Sequence, residues 1–316
     1  MNFAIERYSE KGFQLMRLVD NTSGTYAVII PGNGALLHEF AIMQDSGPQN
    51  IIDNYRDSVE LESFINLSYK SAKLSPFACR IADGKWNYET ADLEFERKFK
   101  DGNAIHGLLF NKPFRVTEEF ADDSGAAISL RYHYKREDNG YPFEYVCEIR
   151  YVLQARNVLR LETTITNLDD DSIPVVDGWH PYFKLGGKTN DWILQLASDT
   201  ILEFDERLIP TGDEADEPSF HNPQLIGDTS LDNCFVSNAA PGSACAVIQN
   251  PNNGLTLSVF ASEAYPYLQV FTPDHRESIA IENLSGAPDA FNNGIGLIIL
   301  EPRRSTTFNA WYVISR

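Results

Sequence analysis

The sequence predicts an all-β protein, a large antiparallel sandwich of two stacked sheets. Three observations carry this reading: runs rich in β-branched and aromatic residues, clusters of turn residues at short intervals, and few segments with helical periodicity. The runs are residues 26–30, 127–134, 144–153 and 159–166. In the last of these Leu159, Leu161 and Ile165 fall on one face, and Arg160, Glu162, Thr164 and Thr166 on the other. That is the period of a half-buried strand, which needs a second layer to cover its apolar face.

Between the runs lie PGNG at 31–34, DDSG at 122–125, EDNG at 137–140, NLDDD at 167–171 and NPNNG at 250–254. Their close spacing predicts hairpins rather than parallel units joined by helices, with Asn253 and Gly254 as a tight turn. A short helix is expected near residues 58–66. The acidic stretch 212–218, GDEADEP, reads as a solvated loop. No repeat and no low-complexity linker divides the chain, so one domain over residues 1–316 is expected.

The 316 residues are 43% hydrophobic, 22% charged and 12% aromatic, the composition of a soluble globular protein. A formal charge of -19 repels polyphosphates, which argues against nucleic acid and anionic membrane surfaces as partners. Cys79, Cys147, Cys234 and Cys245 show neither a CxxC pair nor zinc-type Cys/His spacing, and are expected to be reduced thiols. The N-terminus has no apolar core of a signal peptide, and no stretch is long enough for a membrane span. A cytoplasmic location is the expectation.

Five side chains carry the chemistry. His180 sits in GWHPYFKL at 178–185, Arg80 in ACRIADGKW, His106 in AIHGLLF, Asp232 in SLDNCF and Glu282 in IAIENLSGAPDAFN. Glu282 follows the apolar residues Ile279, Ala280 and Ile281, and a carboxylate ending a buried strand must find a partner or shift its pKa. Trp86, Trp179, Tyr182 and Phe183 are aromatics near these motifs that would suit a pyranose face. In a strand, Trp179 would point away from the face that bears His180.

In the order Arg, His, His, Asp, Glu the sequence resembles the aldose 1-epimerase family, the galactose mutarotases, over most of its length. Ile105-His-Gly-Leu108 is similar to that family's Leu-His-Gly-Gly motif, and His180 to Leu185 to its His-x-Tyr-Phe-x-Leu motif. Asp232 to Phe235, and Glu282 followed by PDAFN at 288–292, fit the later motifs. Cys79 and Arg80 stand where the family has an Asn-Arg pair, so the Arg is kept and the Asn is not. Arg303 and Arg304 replace the Gly-Glu of the C-terminal turn, and Asn283 and Leu284 replace the usual Pro-Gln after the Glu.

The resemblance implies the family's large galactose mutarotase-like sandwich and an isomerase that interconverts sugar anomers. Glu282 is the implied base at the anomeric hydroxyl and His180 the acid at the ring oxygen. Arg80, His106 and Asp232 are the implied contacts to the sugar. An ionised Glu282 beside an imidazolium is the expected resting state. Neither metal nor organic cofactor is expected, and the partner is a small free aldose bound by a monomer or homodimer. Two alternatives remain: a hexose-6-phosphate epimerase that recruits Lys85, Lys184, Arg303 and Arg304, and a non-catalytic carbohydrate-binding protein on the same scaffold.

Overall fold

The computed structural model describes residues 1–316. Two large antiparallel sheets dominate. The first has nine strands and begins with four long neighbours, Arg115–Ala121, Gly125–Lys135, Glu144–Gln154 and Val158–Asn167. It continues through Ser305–Ser315, Leu255–Ala261, Ala246–Asn250, Ile193–Leu196 and Gln224–Leu225. The C-terminal strand thus lies inside the sheet, between partners from the middle and the last third of the chain.

The second sheet has eight strands. From one edge it runs Pro210–Asp216, Thr200–Phe204, Asp232–Val236, Tyr267–Phe271 and Ile279–Leu284, then Gly178–His180 and Ala72–Leu74. Tyr182–Phe183 also pairs with Ile279–Leu284, so Pro181 divides one path into two short strands on the same partner. A proline lacks the N–H that a continuous ladder requires. A third sheet is a five-stranded meander of residues 3–50.

The two large sheets stack face to face. Tyr151 of the first meets Trp179 of the second at 5.9 Å between ring centroids, and Tyr312 meets Phe183 at 5.2 Å. The Val158–Asn167 strand alternates half-buried and buried along its whole length, as its sequence period predicts. These faces belong to one cluster of 79 buried hydrophobic residues.

The predicted helix is present as Ser58–Ser68. Its start follows from Asp57, whose carboxylate accepts from the Glu60 N–H, while the Glu60 carboxylate reaches back to the Arg56 N–H. Two local expectations are corrected. The turn at 250–254 is not a two-residue Asn-Gly turn: Asn250 pairs with Leu255, which leaves a four-residue loop with Gly254 at φ +75°. The acidic stretch is not a loop, because Pro210–Asp216 is an edge strand of the second sheet. Its exposed charges suit an edge, where they discourage pairing with another chain. No helix is long and apolar enough to cross a membrane.

Candidate active site

The five side chains singled out in the sequence, spread over some two hundred residues, line one cavity of about 210 Å³. The second sheet supplies three of them. Gln269 pairs with Glu282 across neighbouring strands, and the register that sets Gly178 opposite Leu284 and Tyr182 opposite Ala280 puts His180 beside Glu282. The His180 Nε2 lies 3.2 Å from the Glu282 Oε1, and both side chains are almost fully buried. Asp232 opens the next strand and accepts from the Gln269 Nε2 at 2.7 Å.

Arg80 and His106 come from outside the sheet, on a two-residue ladder in which Arg80 pairs with Ile105. His106 then turns at φ +58°, its N–H donating to the Cys79 carbonyl at 2.8 Å. Gly107 must be a glycine: at φ +73°, a Cβ there would sit 2.4 Å from the Ser75 carbonyl oxygen. The Arg97 guanidinium holds this turn, donating to the Ile105 carbonyl at 2.9 Å and the Gly107 carbonyl at 3.2 Å. The Arg80 Nε donates to Asp101 at 3.2 Å. The His106 ring meets His180 edge to face at 4.8 Å between centroids and tilts on Tyr69 at 4.6 Å.

Burial dominates the electrostatics. It pushes the Glu282 carboxyl well above its ordinary range, and Asp232 nearby adds repulsion while Arg80 opposes it. Burial takes His180 down from 6.5 to about 3, and holds His106 well below its ordinary value with His180 and Arg80 adding to the effect. Burial thus pushes both groups toward their uncharged forms, against the ion pair that their residue types alone suggest. The Glu282 Oε2 and one ring nitrogen of each histidine, Nδ1, are buried without a partner.

Of the four aromatics near the motifs, Tyr182 alone lines the cavity, stacked on His180 at 4.9 Å with 14° between planes. Trp179 is core, with the Lys73 ammonium 4.5 Å from its ring. Trp86 is buried and donates to the Gly140 carbonyl at 2.8 Å, and Phe183 is fully buried. Lys85 and Arg303 lie outside the cavity, paired with Glu94 and Asp170.

Sequence reasoning missed Gln269, a lone amide in an apolar strand with no motif around it. It also missed the work of Asp289 within the PDAFN segment. The Asp289 N–H donates to the Arg80 carbonyl at 2.7 Å, and its carboxylate accepts from the Ala82 N–H at 2.9 Å. An Asp at a turn is expected to bond nearby backbone, which gives no hint of these contacts. Its partner lies two hundred residues away.

Comparison with known proteins bears on the family and the fold. The chain is similar to the uncharacterized protein YihR of Escherichia coli, 28% identical over 243 residues that cover 74% of this chain and 76% of that protein. It is also similar to the aldose 1-epimerase of Streptococcus thermophilus, 24% identical over 314 residues and 87% of each chain. Among solved structures, a galactose mutarotase-like protein from Clostridium acetobutylicum superposes with a TM-score of 0.86 at 19% identity, covering 100% of this chain and 99% of that one. The galactose 1-epimerase of Lactobacillus acidophilus gives 0.80 at 19% identity, over 99% and 98%. A profile of the aldose 1-epimerase family matches residues 17–313, and the chain belongs to that family.

Proposed function

We propose that this chain interconverts the α and β anomers of a free aldose, with Glu282 and His180 as its proton-transfer pair. The observation that carries the reading is their 3.2 Å contact at the buried end of a cavity that also presents Arg80, His106 and Asp232. At about 210 Å³ the cavity is smaller than the roughly 300 Å³ at which drug-sized sites begin, which suits a single sugar ring.

The Glu282 carboxylate takes the proton of the anomeric hydroxyl. As the bond between the anomeric carbon and the ring oxygen breaks, the ring oxygen takes a proton from His180. The product is an open-chain aldehyde, with Glu282 protonated and His180 neutral. Rotation about the bond between the first two carbons presents the other face of the carbonyl, and the same two groups act in reverse to close the ring.

Burial favours the uncharged form of each group, so ring opening moves the pair in the direction that burial favours. The ionised pair needed at the start holds the same number of protons, one having crossed the contact. Sugar hydroxyls reaching the unpartnered Glu282 Oε2 help to stabilise it. Arg80, His106 and Asp232 restrict the ring to a reactive pose.

A free sugar is favoured over a sugar phosphate, because Arg80 is the sole cationic side chain in the lining and Asp101 already engages it. Polarimetry of fresh α-D-glucose, α-D-galactose and α-D-xylose, beside an anomeric assay of glucose 6-phosphate, tests the reading. Acceleration of a free sugar that is lost in His180→Asn and Glu282→Gln is expected. Acceleration of the phosphate alone would replace this substrate class. Calorimetric sugar binding without any acceleration would leave a binding protein.

A further inference from the structure

The three donors Cys79, His106 and Glu282 come from distant segments, and no spacing rule in the sequence links them. In the fold the Cys79 Sγ, a His106 ring nitrogen and a Glu282 oxygen lie within 4.8 Å of one another. All three residues are more than nine-tenths buried. On two of these residues a buried polar atom, the His106 Nδ1 and the Glu282 Oε2, has no hydrogen-bond partner. Buried polar atoms left unpaired carry a desolvation cost that a ligand can remove.

We propose that the cavity binds one thiophilic divalent cation of the Zn²⁺ kind through Cys79, His106 and Glu282. Bonds of about 2.0 Å to nitrogen or oxygen and about 2.3 Å to sulfur place these tetrahedral donors roughly 3.3–3.5 Å apart. Side-chain tips therefore close on the ion by shifts on the order of 1 Å. Three protein ligands leave a fourth position open toward the cavity. The Cys79 thiol and the Glu282 carboxyl each release a proton to solvent as their bonds to the metal form. Arg80 opposes a cation, but Asp101 holds its guanidinium, and the chain's formal charge of -19 draws cations inward.

Cys79 makes this possible in two ways. Its φ of +51° sets it on the tight connection to Arg80 that lines the cavity, and its sulfur is the softest donor there. Glu282 also belongs to the proposed proton-transfer pair, so metal and sugar exclude one another; that clause alone rests on the epimerase reading.

The test is titration of the metal-free protein with CoCl₂, followed by displacement with ZnCl₂. One cobalt per chain is expected, with tetrahedral visible bands and a sulfur-to-cobalt charge-transfer band in the near ultraviolet. Cys79→Ser should abolish that band, and His106→Gln should weaken binding by about tenfold or more. Cys79→Asn repeats the test with a residue that tolerates positive φ, and near-ultraviolet circular dichroism checks that the variants keep their fold. No charge-transfer band in the unaltered protein, or a band that persists in both Cys79 variants, overturns the proposal. These spectra do not depend on turnover, so they stand even where polarimetry finds no epimerase. Where it finds one, ZnCl₂ should inhibit and saturating sugar should raise the apparent Kd for zinc.

Discussion

Two acid–base pairs sit back to back on the strand Gly178–His180 and its surroundings. On one face His180 meets Glu282; on the other Lys73, paired in register with Trp179, meets Asp177. Both are buried, yet their surroundings differ. The Lys73 ammonium donates to Asp177 at 2.6 Å and to the Gly178 carbonyl at 3.0 Å, and lies over the Trp179 ring. Asp177 also accepts from the Tyr265 hydroxyl at 2.6 Å, and its N–H donates to Ser285 at 2.8 Å. The His180–Glu282 pair makes one mutual contact and leaves the Glu282 Oε2 and the His180 Nδ1 unpaired. The Asp177 Oδ1 is also buried without a partner, so the pairs differ in the number of bonds that hold them and in what they face: several bonds lock the first into the core, whereas the second keeps its unpaired atoms at a cavity, available to a ligand. The same strand serves both purposes because adjacent side chains point to opposite faces.

The largest expected effect breaks the locked pair. Lys73→Met strands an acid among apolar side chains and should lower stability by about 3–5 kcal/mol in urea unfolding, as removal of one partner of a buried pair does. A loss within the scatter of surface substitutions would show that the two pairs are alike. Adding Asp177→Leu to Lys73→Met should restore much of the loss, since an apolar replacement of both partners avoids the stranded group. Glu282→Gln should do the opposite of Lys73→Met. Turnover falls roughly 100-fold or more, about 2.7 kcal/mol in barrier, while the unfolding midpoint holds or rises.

His38 separates burial from pairing, because it is buried without a carboxylate contact. Burial, with smaller effects from Lys11 and Lys184, lowers it from 6.5 to about 4. Its folded value lies below its unfolded one, so the unfolded chain binds the extra proton. The stability it supports is whole above about pH 6.5 and is lost as pH falls toward about 4. Between pH 7 and pH 5, His38→Gln should remove roughly 2 kcal/mol from the fall in unfolding free energy. An unchanged slope would mean that burial alone does not depress a histidine here.

The smallest effect concerns Arg303, which occupies φ +59° where the resemblance expects a glycine. Its exposed pair with Asp170 contributes little. Arg303→Gly exchanges left-handed strain for chain entropy and should move the melting temperature hardly at all. A marked drop would give that exposed pair the weight reserved here for Lys73 and Asp177.

Much of this was legible in the sequence. The alternation within residues 159–166 and the short helix near residues 58–66 are local, and local patterns state their own structure. The five cavity residues were legible because each sits in a short motif, although their meeting depends on sheet register that no motif encodes. Gln269 and the link from Asp289 to Arg80 are contacts between distant segments and left no local trace. The electrostatics of Glu282 and His180 were half legible for a related reason: their attraction follows from residue type, but the burial that pushes both toward their uncharged forms is a property of the packed interior. Residues 212–218 read as a loop by charge, and only the place of Pro210–Asp216 at a sheet edge explains why so acidic a segment is mostly strand.

The central position of Ser305–Ser315 bears on how the chain is made. While a ribosome is still delivering the earlier residues, Val158–Asn167 and Leu255–Ala261 each present an open row of backbone donors and acceptors that only the last strand will cover. The nascent protein thus carries two sticky edges until residues 305–315 are added, the period in which intermolecular strand pairing competes best. A polymerisation hazard during translation is built into the topology, and chaperone cover is most valuable in the interval before residue 305 emerges.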